Sequence, residues 1–523
     1  MPAVDFTLHW SDGVTQECYS PSTVIEQYLV AGAFYPVSEL LGRCRSGLKR
    51  ASERVREQRG MACTAALQQL EEIEDRAREV GVDGDGPVAV KRLVRARQSL
   101  RYSPPEELSG HVGTVVVGGG QAGLATSFHL AEQGVDHVVL ERDRVASTWL
   151  EARWDSFCLV TPNWQCRLPS FPYAGDDPTG FMLRDEIIAY VQGFAASFAS
   201  PLHEGVSVER VAGSDDGFLV STSLGEMTAD QVVLAVGGYH LPLIPRLGAA
   251  LPSHVAQLHS SGYRNPSSLP DGAVLVVGSG QSGAQIAEDL HLAAREVHLS
   301  VGSAPRVARF YRGRDCVAWL EDMGHYDMPI EDHPKGFAAR KEPNHYVTGR
   351  DGGHDLDLRG MAQHGLRLHG RLRSADAESL TFAGDLRENL DTADATADRI
   401  KDAIDQFIDE RKIDAPEEER YQPLWAPPTD EESAIELRAD RLTSVVWATG
   451  FCSDWRWVDV PAFDGAGYPT HHRGVTTVPG LYVVGLPWLH SWGSGRFAGV
   501  ARDARYVAER VAHSDLVGRR AAA

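Results

Sequence analysis

No run of apolar residues in this chain approaches the roughly 18 that a membrane-spanning helix needs. The opening Met1-Pro2-Ala3-Val4-Asp5-Phe6 also lacks the basic and apolar regions of a signal peptide. Both absences lead us to expect a cytoplasmic protein with no membrane partner. Cysteine is scarce: seven residues in 523, with no C-x-x-C pair and no metal-ligand spacing. That fits free thiols in a reducing compartment and no bound metal. Cys158 and Cys166 are near enough to be weighed as a redox dithiol, but their spacing does not by itself bring two sulfurs within bonding reach. Positive charge is short as well, with 51 Lys and Arg against 72 Asp and Glu and a formal net charge of -21, which argues against a nucleic-acid partner.

Against these absences stands one stretch, Thr114 to Glu141. Val115, Val116 and Val117 read as a buried parallel strand, and Gly118, Gly120 and Gly123 then give G-x-G-x-x-G where a helix should begin. Gly118 permits the tight turn, Gly120 lets a pyrophosphate approach the backbone, and Gly123 lets helix and strand pack closely. Gln121 and Ala122 belong to the same loop. A second strand, Val138 to Leu140, ends at Glu141, whose carboxylate suits the hydroxyls of an adenosine ribose, with Arg142 beside it. The pattern returns at Gly278, Gly280 and Gly283, with Gln281 and Ser282 in the loop and a following strand, Val297 to Ser300. No acid ends that strand. Ser300 stands there, followed by Arg306, Arg309, Arg312 and Arg314, which suits a ribose 2'-phosphate, with Arg306 the first choice. The contrast predicts FAD at the first module and NADPH at the second.

The expected fold is α/β, with two Rossmann-like dinucleotide-binding domains and a small α+β domain before them. The small domain takes residues 1–82: alternating Val4 to Trp10, a turn at Asp12-Gly13, a return strand Val14 to Tyr19, a helix capped by Ser22, and helices over 38–58 and 64–80. Arg43, Arg45, Lys49, Arg50, Arg54 and Arg56 make one helix locally basic, a solvated face or a site for a protein partner. Residues 83–110 read as a linker, 111–250 as the first FAD-domain segment, 251–439 as the NADPH domain with an inserted loop, and 440–523 as the second FAD-domain segment. Histidines 325, 333, 345 and 354 lie in that loop, which reads as a substrate lid or an interface rather than a metal site.

His9-Trp10-Ser11-Asp12-Gly13 and Cys18-Tyr19-Ser20-Pro21-Ser22 resemble small bacterial proteins linked to nitrogen starvation. From about 110 to 515 the chain resembles single-component flavoprotein monooxygenases, in particular the bacterial branch linked to cation transport. The segments that carry this are Ser147-Thr148-Trp149, Arg153-Trp154-Asp155-Ser156-Phe157, Leu159 to Trp164, Ala448-Thr449-Gly450-Phe451, and Gly485-Leu486 with the helix opening at Ser494, Gly495 and Gly499. His259 and Tyr263 fit the monooxygenase fingerprint, while Ser253 and Val255 stand where it has Phe and Gly.

The resemblance implies flavin contacts from Thr148, Trp149, Thr449, Gly450, Leu486 and Ser494, and a catalytic role for Asn163 beside the flavin. The alternative reading of Asn163 is a stabiliser of its Pro-containing turn. The implied activity is NADPH- and O2-dependent oxygenation through a C4a-hydroperoxyflavin, with N-oxygenation of an amine or amino acid favoured. A reductase or dehydrogenase that does not oxygenate and a redox-sensing flavoprotein stay open, as do homo-oligomerisation and the identity of the small-molecule substrate.

Overall fold

A computed structural model describes residues 3–514 apart from 13, 21, 23, 26–27, 31–32, 60–63, 81–87, 97–106, 431 and 439–440. The chain divides into two units, Met1–Arg101 and Tyr102–Ala523.

In the first unit, alternation along β1 (Ala3–His9) puts Val4, Phe6 and Leu8 on one buried face. β2 (Thr15–Ser20) returns antiparallel to it, and the backbone of Trp10 donates to Val14 to close the hairpin. Gly13, expected in that turn, lies outside the described residues. After β3 (Phe34–Tyr35) come the helices α1 (Val37–Arg59) and α2 (Thr64–Val80), which bury Leu40, Cys44, Leu48, Ile73 and Ala77 against the sheet. The small domain does not stop at 82. β4 (Val88–Ala96) pairs antiparallel with β1, giving the order β2-β1-β4-β3, because Val88 and Val90 supply two more core positions. Part of the expected linker is therefore a central strand. On α1, Arg43 pairs with Glu39 at 2.8 Å and Arg45 with Glu74 at 2.6 Å, as a solvated face would.

The second unit is built on two sheets. In the first, β5 (Gly110–Val117) lies between β6 (His137–Glu141) and the strand Gly225–Leu234, all parallel, with Leu202–Glu204 beyond β6 and Leu481–Val483 beyond Gly225–Leu234. α3 (Gln121–Glu132) crosses from β5 to β6. Val115, Val116 and Val117 are buried, as a strand covered on both faces requires.

The second sheet orders its five parallel strands as Ala256–His259, Leu442–Trp447, Ala273–Val277, Val297–Ser300 and Arg367–His369. Leu442–Trp447 thus lies inside the second domain, and the return to the first follows at Thr449-Gly450-Phe451 rather than at 440. The two connections between the domains run side by side, Leu241 opposite Cys452 and Pro242 opposite Phe451. The Thr449 hydroxyl donates to the Leu243 carbonyl, tying them further. No helix among the described residues is long and apolar enough to cross a membrane.

Candidate active site

The first glycine loop has the geometry of a dinucleotide cradle. Gly118 sits at φ 107, where a side chain would be strained, and its N–H donates to the Leu140 carbonyl at 2.8 Å. A Cβ on Gly123 would lie 1.8 Å from the Gly118 carbonyl oxygen, so only glycine permits this helix–strand approach. A Cβ on Gly120 would meet nothing within 4 Å, so the space beside it is open. α3 starts at Gly120 with no side-chain cap, leaving its first N–H groups for an anion. At the end of β6, Glu141 accepts from the N–H of Gly119 at 2.6 Å and of Asp143 at 2.9 Å. Burial pushes its carboxyl above the usual range, and the two N–H groups oppose that shift. These residues fit the pyrophosphate and ribose of FAD. Arg142 points to solvent and pairs with Asp143 at 3.1 Å.

The second loop repeats the design. Gly278 is at φ 103, a Cβ on Gly283 would lie 1.8 Å from the Gly278 oxygen, and Gly280 again has nothing within 4 Å. Its helix, Gln281–Leu292, also lacks a side-chain cap, with Ser282 half-buried in the first turn.

The strand end differs from expectation. The Ser300 hydroxyl donates to the Gly370 carbonyl at 3.0 Å and accepts from the Leu372 N–H at 3.1 Å, so it is spent on the neighbouring loop. Arg306 is buried, paired with Asp394 at 2.5 Å and with Asp355 at 3.6 Å, and lies over the Tyr421 ring. Its charge is already matched, so it is a structural ion pair rather than a free 2'-phosphate ligand. Arg309, Arg312 and Arg314 are likewise paired, with Asp315, Asp405 and Asp322.

Two residues of the glycine loops act as clasps. The Gln121 side chain donates to the Gly495 carbonyl at 2.9 Å, holding the C-terminal segment against the first cradle. Gln281, at the same place in the repeat, donates to the Val347 carbonyl at 2.6 Å and accepts from the Val347 N–H at 3.2 Å, holding the middle loop against the second. Ala122 packs against Gly485, where an added Cβ would come within 2.5 Å of it.

Leu486 is buried in the core of the first domain, and the Ser494 hydroxyl accepts from the N–H groups of His490 and Ser491, both at 3.0 Å. These two shape the segment from inside. Thr148 is exposed on the helix Ser147–Glu151, where Trp149 stacks on Phe497 at 5.9 Å. Thr449 and Gly450 sit at the connector, the Gly450 carbonyl 2.9 Å from His259 Nε2.

Asn163 is buried, and both ends of its amide are engaged by backbone: Nδ2 donates to the Asp177 carbonyl and Oδ1 accepts from the Met182 N–H, at 2.9 and 2.8 Å. It fastens the segment 177–182 to its own turn, which accounts for the residue without a ligand. Cys158 and Cys166 are both free and buried, and burial raises both thiols, Cys166 to about 12.

The middle loop lies on the C-terminal segment. Ile330 N–H donates to the His490 carbonyl at 2.7 Å, Tyr326 packs on Trp492 at 4.7 Å and His333 on Trp488 at 5.1 Å. Burial holds His325 below its usual pKa and His345 down to about 4, and Arg496 pushes both in the same direction. A further network escaped sequence reasoning. Asp289 of the second-module helix accepts from Ser156 at 2.5 Å, Tyr263 at 2.7 Å and Arg350 at 2.6 Å, while neighbouring Glu288 contacts His354 at 2.7 Å. Ser156, Tyr263 and His354 each stood out in the sequence, but nothing there joined them to Asp289 and Glu288.

Two uncapped glycine cradles, one followed by a strand that ends in Glu141, and two paired connectors fit an oxidoreductase that uses FAD and NADPH. Residues 115–320 match the pyridine nucleotide-disulphide oxidoreductase family model, and residues 5–93 match that of the nitrogen starvation-induced protein NitG. The CzcO-like oxidoreductase of Geobacillus kaustophilus is 31% identical over 400 residues, covering 76% of this chain and 97% of that protein. This chain belongs to the CzcO-like oxidoreductase family, with an N-terminal NitG region. Its fold is that of the flavin monooxygenases. A flavin-containing monooxygenase from Stenotrophomonas maltophilia superposes with a TM-score of 0.54 at 20% identity over 77% of this chain and 98% of that one. The ornithine N-hydroxylase of Kutzneria superposes at 0.51 with 17% identity, over 77% and 99%.

Proposed function

We propose that this chain is a monooxygenase that uses NADPH and O2 to oxygenate a small nucleophilic substrate, with nitrogen the favoured atom. The observation that carries this reading is the seating of the middle loop on the C-terminal aromatic segment, Ile330 on His490, Tyr326 on Trp492 and His333 on Trp488. That segment is held to the first cradle through Gln121, so the loop can cover the flavin site against water. An oxygenating site must exclude water, whereas a simple reductase has no such need. A dithiol outlet for the electrons has no support, because Cys158 and Cys166 are separate buried thiols.

FAD, when bound and reduced by NADPH, supplies the oxygen chemistry at its C4a carbon. The chain's own work is to place and protect. Gly120 and the first turn of α3 hold the pyrophosphate, and Glu141 accepts the ribose hydroxyls. Gly280 and its helix hold the second dinucleotide. Gln121 and Gln281 fix the C-terminal segment and the middle loop, and Trp488, Trp492 and Tyr326 make the face between them apolar.

The test is rapid mixing of NADPH-reduced holoprotein with O2. A transient spectrum distinct from both oxidised and reduced FAD, followed by an oxygenated product, is expected. A direct return to oxidised FAD would leave a reductase or a redox sensor as the better description.

A further inference from the structure

We propose that Arg371, held in place by Asn389, binds the 2'-phosphate of NADPH at the second cradle and sets the preference for NADPH over NADH. The inference goes beyond the oxygenase reading and does not depend on it, since a reductase would meet the same dinucleotide.

The two modules correspond residue for residue at their strand ends. Val117 pairs with Leu140 in the first and Val277 with Ser300 in the second, so the next residue is Glu141 in one and Val301 in the other. Where the first module carries a carboxylate suited to ribose hydroxyls, the second has a buried valine. The turn beneath differs to match. In the first module the Gly119 N–H donates to Glu141, whereas in the second Ser279 stands at that place and its hydroxyl accepts from the Gly302 N–H at 3.0 Å. A Cβ on Gly302 would meet nothing within 4 Å, so the space beside this strand end is open.

Two elements from further along the chain bring a guanidinium to that space. The strand Arg367–His369 lies parallel beside Val297–Ser300, and the loop after it is tied to the Ser300 hydroxyl through the Gly370 carbonyl and the Leu372 N–H. Arg371 stands between those two contacts. Asn389, buried near the start of the helix Leu386–Arg411, donates from Nδ2 to the Val301 carbonyl at 3.0 Å and accepts at Oδ1 from the Arg371 guanidinium at 3.2 Å. One amide thus fixes the guanidinium beside the residue that stands where the first module has its acid.

The other arginines near this strand end are matched. Arg306 and Arg359 share Asp394, Arg373 pairs with Glu432, and Arg387 pairs with Asp430 at 2.6 Å. Arg371 differs. Its one ion-pair neighbour among the described residues, Asp385, lies 3.6 Å from Nε and accepts instead from the Arg371 backbone N–H at 2.9 Å. With 56% of its side chain exposed, the guanidinium is open to a ligand, and a phosphate there gains charge-assisted hydrogen bonds that NADH cannot offer.

The FAD-loaded full chain is titrated calorimetrically with 2',5'-ADP and with 5'-AMP, which share the adenosine end and differ in the 2'-phosphate. The first should bind at least about tenfold tighter. Arg371→Met should bring that ratio to within about threefold of one, with 5'-AMP affinity and flavin absorbance kept, and Arg371→Lys should give an intermediate ratio. Equal affinity of the unaltered protein for the two ligands, including no measurable binding of either, overturns the proposal, and this comparison needs no variant. A ratio kept in Arg371→Met also overturns it, even if both affinities fall together, since Arg371 would then support the loop while another group met the phosphate. Failure of the oxygenase reading would show separately, in the O2-mixing spectrum, without altering this ratio.

Discussion

Gly120 and Gly123 share one turn yet fail differently when given a methyl group. At Gly123 the new Cβ would lie 1.8 Å from a backbone oxygen, so Gly123→Ala should damage the domain itself, lowering soluble yield and the unfolding temperature. At Gly120 the Cβ meets no protein atom within 4 Å, so Gly120→Ala should fold normally and lose FAD, read as flavin absorbance per polypeptide. Gly280→Ala should keep FAD and raise the KM for NADPH instead. These glycine roles were legible in the sequence because each depends on neighbours a few residues away. The role of Arg306 was not. Its partner Asp394 lies on the helix Leu386–Arg411, far along the chain, so an arginine-rich stretch read as free charge turns out to be matched charge. Arg306→Ala should therefore leave the NADPH-to-NADH preference within about threefold. It should destabilise the fold by about 2 kcal/mol by removing one partner of a half-buried carboxylate, a cost moderated because Asp394 keeps Arg359 at 2.9 Å. Steady-state kinetics with both dinucleotides and urea unfolding check the two halves.

The middle loop, between His325 and Gly353, reads from its length and composition as a substrate lid or an interface, but its seat was not legible. Val347 reaches Gln281 and Ile330 reaches His490 through backbone groups, which leave no mark in side-chain patterns. Its pH response follows from His345, whose pKa falls from 6.5 to about 4 through burial first, then through His325 and Arg496, with Glu342 opposing. A histidine depressed in the folded state binds fewer protons there than when released. The seating is therefore fully supported above pH 6.5 and is lost as pH falls toward about 4. His354 runs the other way: its hydrogen bond to Glu288 raises its pKa, so that contact is strong below 6.5 and weakens as pH rises through the raised value. Limited proteolysis between residues 325 and 346 should accelerate on acidification across this window. A His345→Gln variant should lose part of that acceleration; a rate independent of pH would show that the loop is held without regard to His345.

At the scale of the whole molecule, the chain is two units, each closing its own core or cores. Val4, Phe6, Leu8, Trp10, Ile25, Leu40, Leu48 and Ile73 close one core, and the strands around β5 close another with Val115, Val232, Leu481 and Trp455. A boundary at 82 would have cut the first core, because β4 pairs along the length of β1 and buries Val88 and Val90. The charged residues Lys91, Arg92 and Arg95 within β4 masked it as linker. The division into Met1–Arg101 and Tyr102–Ala523 makes a sharper experiment. A fragment of residues 102–523 keeps both glycine cradles, both clasps and the seated middle loop, and should bind FAD and consume NADPH at a rate within about twofold of the full chain. The fragment 1–101 should unfold in a single cooperative transition, since its four strands and two helices share one core. Cutting at 82 instead should leave an amino-terminal piece with no cooperative transition, because β1 would lose its longer neighbour. If the 102–523 fragment binds FAD but no longer turns over, the amino-terminal unit takes part in the oxidoreductase reaction. If turnover is kept, that unit serves a task separate from it, such as holding a protein partner.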